Sequence, residues 1–136
     1  MAKTQWSLID LQSEPANDIY RESLNIELAD QGLPGCSIRR QTLRGGLRDG
    51  VDLVTIDNGA LRVAVLPQRG MGVWKAWLGD WSIGWDSPIR GPVHPKFVPI
   101  AEPSGLGWLD GFDELLCRCG LYSNGAPEFD ARGALA

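Results

Sequence analysis

Histidine is almost missing from this chain, with His94 its single copy in 136 residues. Tyrosine and phenylalanine are scarce too, at two and three. No apolar run approaches the ~20 residues a helix needs to cross a bilayer. The opening Met1-Ala2-Lys3-Thr4-Gln5-Trp6 lacks the long apolar stretch of a secretory signal. The expectation is a cytoplasmic protein with no membrane partner. Cys36, Cys117 and Cys119 are odd in number, which counts against a small secreted domain stapled by disulfides. Positive charge is not in excess: the formal net charge is -4. Nucleic acid and anionic membranes attract a positive field, so neither is an expected partner. The basic run Arg39, Arg40, Arg44 and Arg48 reads as a solvated strand face. There is no phosphate-binding loop, no Gly-x-Ser-x-Gly and no dinucleotide fingerprint, and no cofactor is expected.

Turn formers and tryptophan are present in quantity. The 17 glycines and nine prolines make a chain that reverses often, and the six tryptophans offer broad faces with one polar handle each. Such faces suit the C–H side of a pyranose ring, although a tryptophan taken singly more often fills a core. Residues 1–36 form a lead-in, with a short helix expected between Ser13 and Leu28 because Pro15 sits in a first turn and Ile19, Leu24 and Leu28 share a side.

Residues 37–85 read as an antiparallel meander. Ser37 to Leu47 is a polar strand, and Asp49-Gly50 a hairpin signal. Val51, Leu53 and Thr55 share a face in the next strand, and Asp57-Asn58-Gly59 turns it. Leu61, Val63 and Val65 then alternate with Arg62 and Ala64, the pattern of a half-buried strand. Trp74, Ala76 and Leu78 are expected on one face, Gly79-Asp80 turns, and Trp81, Ile83 and Trp85 line the last strand. With tight turns and no helix between strands, the class is all-β and antiparallel. Residues 86–136 are rich in proline and glycine, which excludes a central strand or a helix over 86–111 and marks a long loop of the kind that carries function.

Candidate chemistry lies in that loop and just before it. Arg69, held between a strand end and Gly70-Met71-Gly72, can give parallel hydrogen bonds to hydroxyls or a carboxylate. His94, flanked by Pro92 and Pro95, has a side chain whose ordinary pKa suits proton transfer, yet a lone loop histidine is more often structural. Trp108 lies in the glycine-rich Gly105–Gly111 stretch, beside Asp110, Asp113 and Glu114, whose spacing on a loop predicts no separation in space. Cys117 and Cys119 with His94 would make three zinc ligands, but with no second cysteine pair, buried thiols are the expectation and no metal site is assigned.

Three blocks carry a resemblance: Val65-Leu66-Pro67-Gln68-Arg69-Gly70-Met71; Gly84-Trp85-Asp86-Ser87-Pro88 with Gly91-Pro92-Val93-His94-Pro95; and Gly105-Leu106-Gly107-Trp108-Leu109-Asp110-Gly111-Phe112 through Arg118-Cys119-Gly120-Leu121 to Asn124-Gly125-Ala126-Pro127. Over residues 37 to 130 the chain resembles the aldose 1-epimerase-like family of unknown function, a branch of the galactose mutarotase superfamily. The resemblance implies a two-sheet antiparallel β-sandwich of about twice this length, of which this chain would be the amino-terminal portion. It implies a sugar-binding protein acting on a hexose or a related sugar, an isomerase in its full form, in which a histidine acts on the ring oxygen and a glutamate on the anomeric hydroxyl. The Leu-His-Gly-Arg motif expected after the Asn-Gly-Ala-Pro turn does not occur in this sequence. Arg69, His94, Trp108, Cys119 and Asn124 are therefore assigned to substrate binding, with His94 the candidate acid. The alternatives are a non-catalytic carbohydrate-recognition module and a structural fragment that associates with itself through exposed sheet edges.

Overall fold

The computed structural model describes residues 23–99, 101–117 and 131. One six-stranded antiparallel sheet organises them, with spatial order equal to chain order: β1 (Ser23–Glu27), β2 (Ser37–Thr42), β3 (Asp52–Asp57), β4 (Leu61–Leu66), β5 (Gly72–Leu78) and β6 (Trp81–Ile83). Among the described residues the only helical turns are short 3-10 turns, and none is long and apolar enough to cross a membrane. The all-β antiparallel class expected from the turn spacing is the class found.

Local chemistry makes each reversal. Asp57 Oδ1 accepts the Gly59 amide at 2.8 Å, and Asn58 Oδ1 accepts those of Ala60 and Leu61 at 3.0 and 2.7 Å, which closes the β3–β4 turn. Between β5 and β6, Gly79 adopts φ 55° and gives its N–H to the Ala60 carbonyl, so the two neighbouring turns brace each other.

Five local expectations are corrected, the last of them, at Trp85, with the end of β6 below. Ser23–Glu27 is a strand where a helix end was expected: Leu24 and Ile26 are half-buried between exposed Ser23, Asn25 and Glu27, a period of two that overrides the irregular helical spacing. The polar strand from Ser37 stops at Thr42, because Gly45 and Gly46 take φ of 85° and 61° and carry the chain into a 3-10 turn. Arg40 is not solvated as Arg39 is. It is 8% exposed and its Nη2 meets Asp52 Oδ1 at 3.2 Å. Trp74 does not share a face with Ala76 and Leu78. The ladder pairs Ala64 with Lys75 and Val65 with Val73, so Trp74 is the extra residue of a bulge. It turns with Trp77 against the core of Val51, Leu53, Ala64 and Leu66.

That core lies at the β3–β4 end of one face. Val51 and Leu66 are fully buried. At ~1.5–3 kcal/mol for each large aliphatic side chain removed from water, it is the main apolar anchor of the sheet. β6 ends at Ile83. Gly84 then opens at φ 149°, and Trp85 leaves the sheet face that alternation would have given it.

Candidate functional site

The turn after β4 is a two-sided clasp. Pro67 starts a 3-10 turn at Pro67–Arg69, with its fixed φ at the first position, and Gly70 ends it in the left-handed region. Two successive side chains then reach in different directions. Gln68 Nε2 donates to the Gly50 carbonyl at 3.2 Å and to Asp52 Oδ2 at 3.0 Å, and Gln68 Oε1 accepts the Asp52 amide at 2.9 Å. Arg69 Nε donates to Glu114 Oε1 at 2.6 Å, and its Nη2 to the Gly111 carbonyl at 3.0 Å. The first side chain ties the turn to the start of β3, and the second ties it to the return segment. Met71 follows at φ 60°, a left-handed conformation for a non-glycine residue, with its side chain 51% exposed. Strain of this kind is held only where the surroundings fix the backbone.

Two acids anchor the return segment from inside. Asp113 and Glu114 are 4% and 1% exposed. Glu114 Oε2 accepts the Asp113 amide at 2.9 Å, Asp113 Oδ2 accepts the Trp74 indole N–H at 2.7 Å, and Lys75 Nζ stands 3.9 Å from Asp113 Oδ1. Burying a carboxylate is costly unless it is paired and hydrogen-bonded, and both are. Glycine makes the approach possible: a Cβ on Gly91 would collide with the Asp113 carboxylate, and one on Gly111 would press on Val98 and Arg69. Backbone pairing completes the attachment. Val73 and Leu116 exchange both hydrogen bonds at 3.0 Å, and the Leu115 amide donates to the Trp74 carbonyl. These acids hold structure: each has its oxygens engaged by neighbouring donors.

Above this anchor lies an aromatic ledge. Phe112 packs tilted on Trp85 at 5.7 Å between ring centroids and edge-on to Trp108 at 5.3 Å. Trp85 is 43% exposed and Trp108 44%. The Trp85 indole N–H donates to the Glu114 carbonyl at 3.1 Å, and the Ser87 hydroxyl to the Phe112 carbonyl at 2.9 Å, so the rings are fixed from below while their upper surface meets solvent. Asp110 is exposed beside Trp108.

His94 occupies a separate corner. Its amide donates to the Leu47 carbonyl at 2.7 Å, its ring meets Phe97 edge-on at 6.4 Å, and Nδ1 accepts the Lys96 amide at 3.1 Å. With Nδ1 engaged as the acceptor, Nε2 is the ring nitrogen left to donate a hydrogen bond. That edge faces Gly50: a Cβ there would lie 3.5 Å from Cδ2 and 3.7 Å from Nε2.

Of the residues singled out from sequence, Arg69 and Trp108 converge through Gly111 and Phe112. His94 joins them only through Gly50 and Gln68 of the clasp. Cys119 and Asn124 lie outside the described residues. Among the described residues no group of three or more His, Cys, Asp or Glu is arranged to hold a metal. Sequence reasoning missed Gln68, Trp85 and Phe112 as site builders. It left Glu114 as one of three nearby carboxylates with no predicted placement, where the structure makes it the partner of Arg69. The available signal was two acids set immediately before Leu115-Leu116, since charges beside an apolar run ask for a buried partner.

Three comparisons bear on this arrangement. Residues 48–136 match the model of a family described as a domain of unknown function, DUF4432. A crystal structure of a proposed aldose 1-epimerase from Klebsiella pneumoniae subsp. pneumoniae MGH 78578 is similar, at 32% identity and a TM-score of 0.60, over 68% of this chain and 25% of that one. The chain thus spans about a quarter of the solved protein it matches. No curated protein matches it.

Proposed function

From membership of the chain in the DUF4432 family, an aldose 1-epimerase-like family of unknown function, and from its mutarotase-like fold, we propose that it supplies a carbohydrate-binding wall of an aldose 1-epimerase-like protein acting on a hexose or a related sugar. The observation that carries the reading is the 32% identity to a proposed aldose 1-epimerase over 68% of this chain. Within that wall, the ledge of Trp85, Phe112 and Trp108 offers apolar ring surface to the C–H side of a pyranose, and Asp110 beside it offers acceptors to hydroxyl groups. Arg69 acts as a positioning residue, because its Nε and Nη2 are committed to Glu114 and Gly111. His94, with Nδ1 taken up by the Lys96 amide, offers Nε2 as a hydrogen-bond donor to a sugar oxygen.

Anomer exchange needs a proton delivered to the ring oxygen and another removed from the anomeric hydroxyl, so that the C1–O5 bond breaks and re-forms on the other face. His94 Nε2 can offer the ring oxygen a hydrogen bond, but with Nδ1 accepting the Lys96 amide the ring has no acidic proton to deliver. The acids Asp113 and Glu114 are occupied as anchors and do not supply the base. This favours, as the second reading, a recognition module that binds sugar without turning it over. The test is two-armed. Exchange NMR on freshly dissolved galactose and glucose measures interconversion, and tryptophan fluorescence titrated with the same sugars measures binding. Fluorescence change with accelerated exchange supports the epimerase, and change with exchange at the buffer rate supports the module. Silence in both arms removes the carbohydrate reading.

A further inference from the structure

The two tryptophans of the ledge meet solvent to the same extent and differ in what their indole nitrogens do. Trp85 and Trp108 are 43% and 44% exposed. The Trp85 indole N–H is committed to the Glu114 carbonyl at 3.1 Å, a backbone oxygen beneath the ledge. Among the described residues no acceptor meets the Trp108 indole N–H. Trp108 is positioned instead by its edge-on contact with Phe112 at 5.3 Å and by the backbone around it. The Leu109 amide donates to the Leu106 carbonyl at 2.9 Å, and Arg69 Nη2 donates to the Gly111 carbonyl at 3.0 Å. An indole nitrogen can only donate, so one ledge ring has a polar handle in use and the other has it free.

The rings also face differently. Phe112 is inclined at 39° to Trp85 and at 77° to Trp108. The two indole planes therefore differ by at least 38°, the difference between those angles, and no single ring stacks flat on both. A pyranose carries C–H bonds on its faces and equatorial hydroxyls around its rim. Stacked on Trp85 by a face, it turns its rim toward Trp108. Solvation then decides what Trp108 accepts. A hydroxyl that displaces water from the indole N–H replaces the hydrogen bond it removes, whereas a C–H group in the same place leaves the donor unsatisfied. A site that hydrogen-bonds a hydroxyl rejects the analogue lacking it far more strongly than apolar surface does.

We propose that Trp108 is the specificity-determining residue of the ledge, its indole N–H donating to one rim hydroxyl of a pyranose whose C–H face rests on Trp85. Trp85 adds affinity without reading hydroxyls. It cannot exchange roles with Trp108, because turning its N–H toward a sugar would break the bond to Glu114, the residue that also holds Arg69. The ligand class is accordingly a pyranose with a free hydroxyl at the rim position that meets Trp108. The inference rests on the carbohydrate reading and narrows it, since it assigns recognition of the sugar's hydroxyl pattern to one nitrogen atom.

Calorimetric titration of the full chain with glucose, galactose and the monodeoxy forms of each tests it. For a sugar that binds, removing one particular hydroxyl should weaken binding by ~5-fold or more, the loss expected when a donor is left without its acceptor. Trp108→Phe keeps an aromatic face and removes the N–H, so it should level that penalty. Trp85→Phe should weaken every member of the series by a similar factor and keep the penalty. A second readout needs no variant: at saturation with the sugar, the Trp108 indole N–H NMR signal should shift while that of Trp85 stays in place. A Trp108→Phe chain that keeps the parent's deoxy pattern overturns the proposal. So does a parent that binds all the deoxy forms equally, or a Trp108 indole signal indifferent to a sugar that binds. A parent that binds none of the sugars removes the carbohydrate reading itself, and this proposal with it.

Discussion

The sheet and the return segment are built on different physics. From β1 to β6 the chain is held by ladder hydrogen bonds between sequence neighbours and by a period-two apolar pattern, so each strand finds its partner a few residues away. Residues 86–117 contribute only a single bridge to the sheet, where Leu115 and Leu116 bond to Trp74 and Val73. The rest of their fastening is by side chains reaching across long sequence gaps: Arg69 to Glu114, Trp74 to Asp113, Trp85 to the Glu114 carbonyl. A ladder loses little when one bond fails. A segment hung on a few buried polar anchors loses its geometry when one of them goes.

The sharpest way to break that contrast is to remove Glu114. Glu114→Ala leaves the partly buried Arg69 guanidinium without its acid, and breaking one partner of a buried pair costs ~3–5 kcal/mol. The loss should be local. Hydrogen exchange should show amides over 86–117 losing protection, while those of β2 to β4 keep theirs. Equal loss in both regions would mean that the return segment and the sheet fold as one unit, and the contrast would be wrong.

Leu66→Ala probes the other side. Leu66 is 1% exposed and packs in the core with Val51, Leu53 and Ala64. The expected cost is ~3 kcal/mol, read as a lower urea midpoint with unchanged slope. Here protection should fall across the whole described chain, because the ladder has no locally removable part.

A smaller effect sharpens the junction between the two regions. Gly50 holds φ 87° at the turn into β3 and faces His94. Gly50→Ala should cost ~1–2 kcal/mol for the left-handed conformation. It should also bring a methyl group into contact with the His94 ring edge. A shift in the His94 ring NMR signals with the Trp108 signals unmoved would show that the histidine corner and the ledge respond separately.

The sheet was legible from sequence where side-chain alternation and turn chemistry agreed. Asp57-Asn58-Gly59 and Gly79-Asp80 turn where expected, and the strands beside them follow within a residue or so. The bulge at Trp74 was not legible, because an extra residue leaves no mark until the partner strand fixes the register. The strand at Ser23–Glu27 was obscured because Leu24 and Leu28 satisfy a helical spacing as readily as Leu24 and Ile26 satisfy a strand. In the site, Arg69 and Trp108 stood out through the glycines around them. Glu114 could not be matched to an arginine 45 residues earlier, since no periodicity encodes a pairing across that distance.

The return segment also contains the weakest anchor, and it tests whether anchoring scales with burial. Glu102 accepts the Ser104 amide at 2.9 Å and the Ser104 hydroxyl, in a turn leading to the Trp108 stretch, and these hydrogen bonds are solvent-exposed. The hydroxyl, and after it the amide, hold the Glu102 pKa below the ordinary carboxylate value. A carboxyl lowered by folding stabilises the folded form above its unfolded pKa, and that contribution is lost as the pH falls through the lowered folded value. Acidification below the usual carboxylate range should therefore release this turn with little effect on global stability, because an exposed hydrogen bond competes with water. An NMR titration of the Glu102 side chain should place its midpoint below that of an ordinary exposed glutamate, and Ser104→Ala should raise it. A midpoint that ignores the serine would show that exposed hydrogen bonds do not hold this loop, leaving the buried acids Asp113 and Glu114 as its fastening.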